Sequence, residues 1–351
     1  MDNSVQQESL TSLASIGKFA LIERLTSDFH NGQETTVQGV GDDCAVIRQD
    51  GKGRHTLIAV HTMAEGIDFD MMYTPLKHLG YKAAAIALSN IAAMNGTPRA
   101  LLMSIALSSR YSVEALEEFY AGIRHCCQRY HVDLVGGDTT TTPVGLTLTA
   151  TAVGDVDPKE TTYRSGARLH DLICVSGDLG SAYSGLLVLE REKATYKANP
   201  NFQPQLEGYD YVLERYLKPE PRYDILKILH EKEIVPTAMI DVSDGLASEL
   251  LHLCKASKCG CEIYEERIPI DFQTSRVCSE MSQNMLPISN ALNGGSDYEL
   301  LFTVRPDDYE KIRDVEAVSI IGHITDGTPI MVTPQNTAIT LRAQGWQGNE
   351  D

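Results

Sequence analysis

The sequence predicts a mixed α/β protein of about two domains. The chain has 351 residues, more than a single domain of usual size contains. In each half, short apolar runs of strand character alternate with amphipathic or Ala-rich helical patterns. Between the halves lies "DVDPKETTYRSGARLHD", which is polar and rich in turn-forming residues. We therefore expect one domain over residues 1–154 and a second over residues 155–351.

The first half predicts helices and strands in alternation. "SLASIGKFALIERL" has helical spacing, and "TLIAVH" is typical of a strand. The Ala-rich "LKHLGYKAAAIALSNIAAMNG" is apolar on most faces, which predicts a buried helix ended by Gly96 and Pro98. The strand "LLMSIAL" precedes an amphipathic helix whose N-cap is Ser112. The loop "GGDTTTTP" then leads into the alternating strand "GLTLTATAVG".

The second half repeats the same kind of alternation. The strand "LICVSG" is followed by a glycine turn and a helix that begins at Ser181. The polar stretch "REKATYKANPNFQPQLEGYD" predicts a surface loop. The strand-like "AMI" runs into "DVSDGLASELLHLCKASKCG", a loop that enters a helix, and "ALNGGSDYELLFTV" joins a glycine turn to a β-rich run.

The charge balance disfavours nucleic acids and anionic membranes as partners. The chain carries 30 Lys and Arg against 48 Asp and Glu, a net charge of −18. No apolar run approaches the about 20 residues that span a bilayer, and the opening residues lack the features of a signal peptide. The eight cysteines include no CxxC pair, so we expect reduced thiols and a cytoplasmic location.

Asp42 and Asp43, adjacent in "GVGDDCAVI", belong to a set of aspartates in Gly- or Ser-containing loops. The others are Asp138, Asp241, Asp244 and Asp297. For any single aspartate, an N-cap or an Asx turn explains the residue. Together, carboxylates without matching Lys or Arg suit Mg²⁺, which binds one or two carboxylates with waters and substrate phosphates. Successive extended residues point to opposite faces, so one of the adjacent pair can face a metal while the other braces the loop.

The sequence contains no common nucleotide-binding fingerprint. Neither GxxxxGK[ST] nor GxGxxG occurs, so P-loop and Rossmann mechanisms are unsupported. The glycine turn "SGDLGSAYSG" has two interpretations: its free amides bind an anion at a helix N-terminus, or it is a plain strand-to-helix turn. The turn alone does not decide between them.

Seven segments occur in the order seen in the thiamine-monophosphate kinase family, which the chain resembles over nearly its whole length. They are "GDDCAVI", "YKAAAIALSNIAAMNGTP", "GGDTT", "YRSGA", "SGDLGSAYSGL", "DVSDGL" and "GGSDYELLF". "GGDTT" is a weak signal by itself, whereas the ordered set is specific. The family belongs to a superfamily with aminoimidazole ribonucleotide synthetase and selenophosphate synthetase.

The resemblance implies an aminoimidazole ribonucleotide synthetase-like fold of two α/β domains. It also implies a homodimer whose N-terminal sheets form a barrel across the interface, with ATP as co-substrate and several Mg²⁺ ions in the cleft. The implied reaction converts ATP and thiamine monophosphate to ADP and thiamine diphosphate by in-line transfer. Because the attacking phosphate oxygen is already ionised at neutral pH, the transfer needs positioning and charge neutralisation and no dedicated catalytic base.

The resemblance also implies roles for individual residues. The implied Mg²⁺ ligands are Asp43, Asp138, Asp241 and Asp244, and the implied ATP-binding residues are Gly137, Asp138, Arg164 and Ser243. Trp346 matches a residue near the thiamine pocket. Each has a simpler alternative: Arg164 forms a surface ion pair, Ser243 caps the following helix, and Trp346 packs near the chain end.

Four positions depart from the family pattern. His61 and Asn90 stand where the family has metal-binding aspartates, and Asp68 and Ser296 replace a substrate-contacting His and Glu. Each lost metal carboxylate removes on the order of 4 kcal/mol of attraction at about 4 Å and an effective dielectric of about 20. Two such losses predict weaker Mg²⁺ binding, and an imidazole ligand favours softer ions such as Mn²⁺.

The sequence therefore leaves two functional hypotheses open. The first is an active thiamine-phosphate kinase with altered metal use or substrate. The second is a catalytically impaired relative that acts as a nucleotide-binding or regulatory protein. A purely structural role for every aspartate is a third interpretation. Metal-dependent ATP binding, measured with and without turnover, separates the first two.

Overall fold

The computed structural model describes residues 16–49, 51, 53–282 and 285–343. Its helices and strands follow one another as α1 (Lys18–Thr26), β1 (Thr36–Gln38), β2 (Ala45–Arg48), β3 (His55–Ala64), α2 (Leu76–Ala93), β4 (Thr97–Leu107), α3 (Val113–Tyr130), β5 (Asp133–Thr141), β6 (Leu146–Val156), β7 (Leu172–Ser176), α4 (Ser181–Ala198), α5 (Asp210–Leu217), α6 (Tyr223–Glu231), β8 (Ala238–Asp241), α7 (Leu246–Ser257), β9 (Gly260–Tyr264), α8 (Phe272–Met281), α9 (Pro287–Asn293), β10 (Leu300–Val304), α10 (Tyr309–Ile312), β11 (Val318–Thr325), β12 (Ile330–Val332) and β13 (Ala338–Thr340). None of the helices in these ranges has both the length and the apolar character that a bilayer crossing requires.

The first half forms a six-stranded sheet in the order β1-β2-β3-β6-β4-β5. Its strand pairs are antiparallel except for the parallel pair β4 and β5. Buried and part-buried residues alternate along all of β6, as the pattern of "GLTLTATAVG" predicts. One face of the sheet therefore faces the core, and α2 packs against that face.

Helix α2 is the central buried element. Its buried residues run from Leu79 to Ala93 and are interrupted only at Asn90. One side packs against the first sheet, and Ala92 and Ala93 join the apolar cluster of the second half with Met239. A helix that is apolar on most faces is stable only when it is enclosed in this way. The predicted buried helix is confirmed.

The second half forms a seven-stranded sheet in the order β13-β12-β9-β11-β7-β10-β8. Its pairs are antiparallel apart from β12 and β9, which are parallel. The short strand β8 lies at an edge, and its last residue, Asp241, pairs in register with Leu300 of β10. This edge faces α2, because the hydroxyl of Ser89 on α2 donates to the carboxylate of Asp241 at 2.5 Å.

Most predicted elements are present, and the predicted cap at Ser112 is in place. Helix α3 begins after Ser112, whose hydroxyl accepts a hydrogen bond from the Ala115 amide at 3.2 Å. Helix α4 begins at Ser181, as expected. The predicted loop "GGDTTTTP" is wrong for residues 136–141, which belong to β5 and pair in parallel with β4. Glycine allows this pairing at Gly137, because a Cβ there would lie 1.9 Å from the Met103 carbonyl oxygen.

The predicted surface loop after α4 is also partly wrong, because α4 continues to Ala198. Leu189 and Glu192 are buried on this helix. The Glu192 carboxylate accepts a hydrogen bond from the Gln205 amide at 2.9 Å. The polar composition of this stretch suggested a loop, but the stretch begins with the end of α4. The buried face of α4 is in contact with the segment that follows it.

The domain boundaries at residues 154 and 155 stay a prediction. Strand β6 continues to Val156. Helix α1, although early in the chain, contacts α7 of the second half through the tilted rings of Phe19 and His252, whose centroids lie 3.9 Å apart. Within the described residues the first sheet is open, with β1 and β5 at its edges, so no closed barrel forms inside one chain.

The packing of α2 on α3 gives a stability prediction. A Cβ at Gly122 would lie 1.9 Å from the Lys77 carbonyl oxygen. We expect Gly122→Ala to lower the free energy of unfolding by about 1–3 kcal/mol, because backbone atoms must move to admit the methyl group. Thermal unfolding measures this change. Gly32→Ala is the matched control, since nothing lies within 4 Å of that Cβ; equal melting temperatures for the two variants would contradict the tight contact.

Candidate functional site

An acidic cluster lies where the two halves of the chain meet. Asp43 comes from the loop before β2, Asp241 ends β8, and Asp244 precedes α7. The Asp43 carboxylate is paired with the Arg164 guanidinium at 2.5 Å. The amide of Arg164 also donates to both carboxylate oxygens of Asp42, each at 3.3 Å. Three separate segments therefore bring four predicted site residues to one place: Asp43, Arg164, and the pair Asp241 and Asp244.

The ion pair inside this cluster is incompletely satisfied. Asp43 Oδ2 and Arg164 Nε are both buried and have no hydrogen-bond partner within the described part of the chain. Arg164 forms a buried ion pair rather than the surface pair of the simpler interpretation, because its side chain is only 19% exposed. A buried carboxylate oxygen without a partner is costly, which marks this position as one where a ligand adds stability.

The cluster carries more negative charge than the protein neutralises. Burial, then the neighbouring Asp43 carboxylate, raises the pKa of Asp42 to about 7. Burial and Asp43 likewise raise the pKa of Asp241. Burial is also the main cause that raises the pKa of Glu249 to about 8, with Asp244 and Asp241 adding to it. Each of these groups resists ionisation until a cation approaches.

Glu249 was not expected from the sequence. It lies in the first turn of α7 and accepts a hydrogen bond from the Asp244 amide at 2.9 Å and one from the Ser243 hydroxyl at 3.3 Å. A glutamate in the first helical turn after "DVSDG" is the signal that was available. Ser243 is not the cap of α7, whose N-cap residue is Gly245. The serine hydroxyl instead faces the carboxylates of the cluster.

The donor set fits a divalent cation that is shared with a ligand. Among the described residues no three His, Cys, Asp or Glu side chains form a ready metal cage. Mg²⁺ usually takes only one or two carboxylates and completes its shell with waters and phosphate oxygens. The unpartnered Asp43 oxygen and the raised pKa of Asp241 are consistent with that mode.

Asp138 and Asp297 lie outside this cluster. Asp138 is exposed on the edge strand β5, where its carboxylate accepts a hydrogen bond from the Thr139 amide at 2.8 Å. Asp297 is buried and accepts hydrogen bonds from the amides of Gly180 at 2.7 Å and Ala182 at 3.1 Å. An internal carboxylate thus occupies the helix N-terminus of "SGDLGSAYSG", which favours the plain strand-to-helix turn over an external anion site.

Three of the four residues that depart from the expected family pattern line a small cavity next to the acidic cluster. His61, Asp68 and Ser296 line this cavity of about 110 Å³. The remaining lining residues are Met63, Ile67, Lys82, Ile86, Leu186, Tyr216 and Tyr298. A hydrogen bond connects the cavity lining to the loop that carries the cluster: the amide of Ser296 donates to the Ser243 carbonyl oxygen at 2.7 Å.

His61 and Asp68 place one imidazole and one carboxylate in the same cavity. The resemblance implies an aspartate at position 61 and a histidine at position 68, where this chain has His61 and Asp68. Burial lowers the pKa of His61, and Asp68 is the largest opposing influence. Asp68 supplies a carboxylate to the cavity that His61 lines. The effect of His61 and Asn90 on metal binding stays a prediction.

The side chain of Asn90 donates to the Ile86 carbonyl oxygen of its own helix at 3.1 Å, so its amide nitrogen is occupied. Trp346 lies outside the described residues. Lys82, which the sequence analysis did not single out, is buried in α2 and lines the cavity.

Comparisons with known proteins match this arrangement. Family models described as "AIR synthase related protein, N-terminal domain" and "AIR synthase related protein, C-terminal domain" match residues 41–156 and 170–333. The thiamine-monophosphate kinase of Bacillus subtilis (strain 168) is 31% identical over 94% of this chain and 98% of its own length. That of Escherichia coli (strain K12) is 34% identical over 92% of this chain and 91% of its own length.

Solved structures agree with these relatives. The structure described as "AaThiL complexed with AMPPCP and TMP" has a TM-score of 0.80 and 26% identity, covering 96% of this chain and 98% of that one. The two-domain aminoimidazole ribonucleotide synthetase-like fold is thereby confirmed. The similarity extends over both halves and includes the segments that build the acidic cluster and the cavity. The chain belongs to the thiamine-monophosphate kinase family.

Proposed function

We propose that the chain transfers the γ-phosphoryl group of ATP to the phosphate of thiamine monophosphate, giving thiamine diphosphate and ADP. It is an enzyme of the thiamine-monophosphate kinase kind. The observation that supports its activity most is that separate segments bring Asp43, Asp241 and Asp244 into one cluster beside a cavity. A nucleotide phosphate at the cluster and an acceptor phosphate near the cavity are then neighbours.

The chain's contribution to the transfer is positioning and charge control. The attacking phosphate oxygen is already ionised, so no side chain has to remove a proton. We assign Gly137, Asp138, Arg164 and Ser243 to ATP, of which Arg164 is the buried cation. We assign Asp43, Asp138, Asp241 and Asp244 to Mg²⁺, with Mn²⁺ as a second candidate; the bound ions neutralise the phosphate charge. Asp43 and Asp241 are buried, and exclusion of water around them strengthens their interactions with a bound ion.

We further propose that two copies of the chain form a dimer through the first sheet. Every residue of β5 is exposed, and the apolar side chain of Val135 on this strand is 59% exposed. Val60, on the face of β3 away from α2, is 62% exposed. An unpaired edge strand and an uncovered apolar face are both liabilities unless another surface covers them. A barrel shared by two copies covers both and places the exposed Asp138 at the interface.

The reaction itself is the test of the proposed function. Protein mixed with ATP, thiamine monophosphate and Mg²⁺ or Mn²⁺ is expected to form thiamine diphosphate and ADP in equal amounts, and EDTA is expected to stop it. Asp241→Asn should abolish product formation, because it removes a carboxylate of the acidic cluster. The variant should still fold, because the carboxylate that it replaces is buried and repels Asp43. Asp314→Asn is the matched control, since that side chain is 80% exposed and lies far from the cluster in sequence.

Two results contradict this proposal. Bound ATP without product under both metals is what the catalytically impaired, nucleotide-binding alternative predicts. Equal product from the wild type and from Asp241→Asn removes the cluster from the mechanism.

The exchanged pair in the cavity gives a second prediction. We expect His61→Asp and Asp68→His each to lower kcat/KM, because the first places two carboxylates in the cavity and the second leaves none. The double variant should recover most of the loss, with a coupling of about 1–3 kcal/mol as for contacting residues. Steady-state kinetics of all four proteins measures the coupling. His30→Asp, at an exposed histidine, should show no coupling to Asp68→His; simple additivity of the two cavity changes would refute the exchange.

The dimer gives a third prediction, which light scattering checks. The wild type should have twice the mass of one chain, and Val135→Lys should shift it toward one chain because a charge then faces the interface. Val235→Lys is the control, at a 45% exposed valine of the second half. A monomeric wild type would contradict the dimer.

A further inference from the structure

Lys82 is a buried cation without an ionic partner. It lies in the middle of α2 and is 3% exposed. Its Nζ is 3.9 Å from the centroid of the Tyr216 ring. Within the described ranges it forms neither an ion pair nor a hydrogen bond, so its contacts are this ring and the cavity that it lines.

This arrangement costs the fold stability. Burial lowers the pKa of Lys82 to about 8, and the Asp68 carboxylate opposes that effect. A pKa below the usual lysine value of 10.5 means that the folded protein resists protonation, so stability is lost as the pH falls from about 10.5 to about 8. Near neutral pH the ammonium form still predominates inside the protein. A buried group that opposes folding is a common sign of a binding function.

The size of the cavity limits what Lys82 can bind. Its volume of about 110 Å³ lies well below the about 300–1,000 Å³ of sites that enclose a whole small ligand. The cavity therefore accepts one group of a ligand, while the rest of that ligand lies outside. A phosphate group has this scale, whereas a nucleotide or an intact thiamine does not.

The polar lining of the cavity favours an anion. Lys82 and Ser296 supply donors. Asp68 is the sole carboxylate of the lining, and its Oδ2 already accepts a hydrogen bond from the Ala64 amide at 2.7 Å. Ser296 adds a hydroxyl and no charge to this lining. A buried ammonium with free donors forms strong charge-assisted hydrogen bonds to a phosphate.

We propose that Lys82 binds the phosphate of the acceptor, a phosphomonoester dianion, and thereby distinguishes the monophosphate from its unphosphorylated form. This inference rests on the proposed function, since it assumes that the acceptor lies beside the acidic cluster. The Tyr216 ring positions Lys82, and the Tyr216 hydroxyl is itself held by the Asp68 carbonyl oxygen at 3.3 Å. The acceptor phosphate then lies between Lys82 and the nucleotide phosphates at the cluster.

Calorimetric titration with thiamine monophosphate and with thiamine tests the proposal without requiring turnover. The wild type is expected to bind the monophosphate about 10- to 100-fold more tightly than thiamine, as for a hydrogen-bonded charged group. Lys82→Met should remove that preference, keep the affinity for ATP and melt at the same or a higher temperature. Lys82→Arg should retain part of the preference, because it keeps the positive charge. Lys77→Met is the matched control, an exposed lysine on the same helix.

The outcomes separate this inference from the proposed function. A Lys82→Met protein that keeps the monophosphate preference overturns the role of Lys82 and leaves the kinase assignment standing. A wild type that forms no product and binds neither compound overturns both. If Lys82→Met does not fold, Lys82→Gln is titrated in the same way, and an unchanged ratio of the two affinities again overturns the proposal.

Discussion

The enclosure of α2 is the constraint on which the rest of the structure depends. This helix is in contact with the first sheet, with α3 and with the edge of the second sheet. It approaches α3 so closely that glycine is required at Gly80 and Gly122. Because a single rigid helix contacts both halves, it fixes the depth and width of the space between them. Asp241 and the residues that line the cavity are positioned relative to this helix.

Charge inside that space follows a simple logic. A protein interior stabilises a carboxylate only when a cation or several hydrogen-bond donors accompany it. Around Asp42, Asp241 and Glu249, Arg164 is the buried cation that the chain provides. Burial, with the neighbouring carboxylates, raises the pKa of each of these three groups. A divalent ion that arrives with a phosphate ligand supplies the missing charge. Under the proposed function, the site is preorganised for a ligand and a metal ion together, at the expense of the stability of the protein without them.

The altered positions are easier to understand as a set than one by one. Taken singly, the resemblance implies a lost metal carboxylate at His61 and a lost substrate contact at Asp68. In the fold they line one cavity, where the exchange keeps one carboxylate and one imidazole. Lys82 shares the cavity, and its charge is balanced in part by Asp68. Substitution at any of these positions changes the electrostatic environment of the others, which is why their effects are expected to couple.

The sequence by itself determined the fold class, the buried character of α2 and the family resemblance. These properties depend on local periodicity and on ordered short motifs, which survive in one dimension. It also indicated Asp43, Asp241 and Asp244, because acidic residues in glycine loops are a local pattern.

Tertiary structure decided the rest, because contacts between distant segments leave no periodic signal. Asp138 looked like a loop residue, but pairing with β4 makes it part of an edge strand. Asp297 looked like a metal ligand, but it accepts the amides at the start of α4. His61 and Ser296 are far apart in the sequence, so the sequence does not show that they line one cavity. Lys82 lies in an apolar helical pattern, so the sequence does not show that it is a buried charge without an ionic partner among the described residues. Only the folded chain brings these groups within electrostatic range, so their chemistry belongs to the three-dimensional structure.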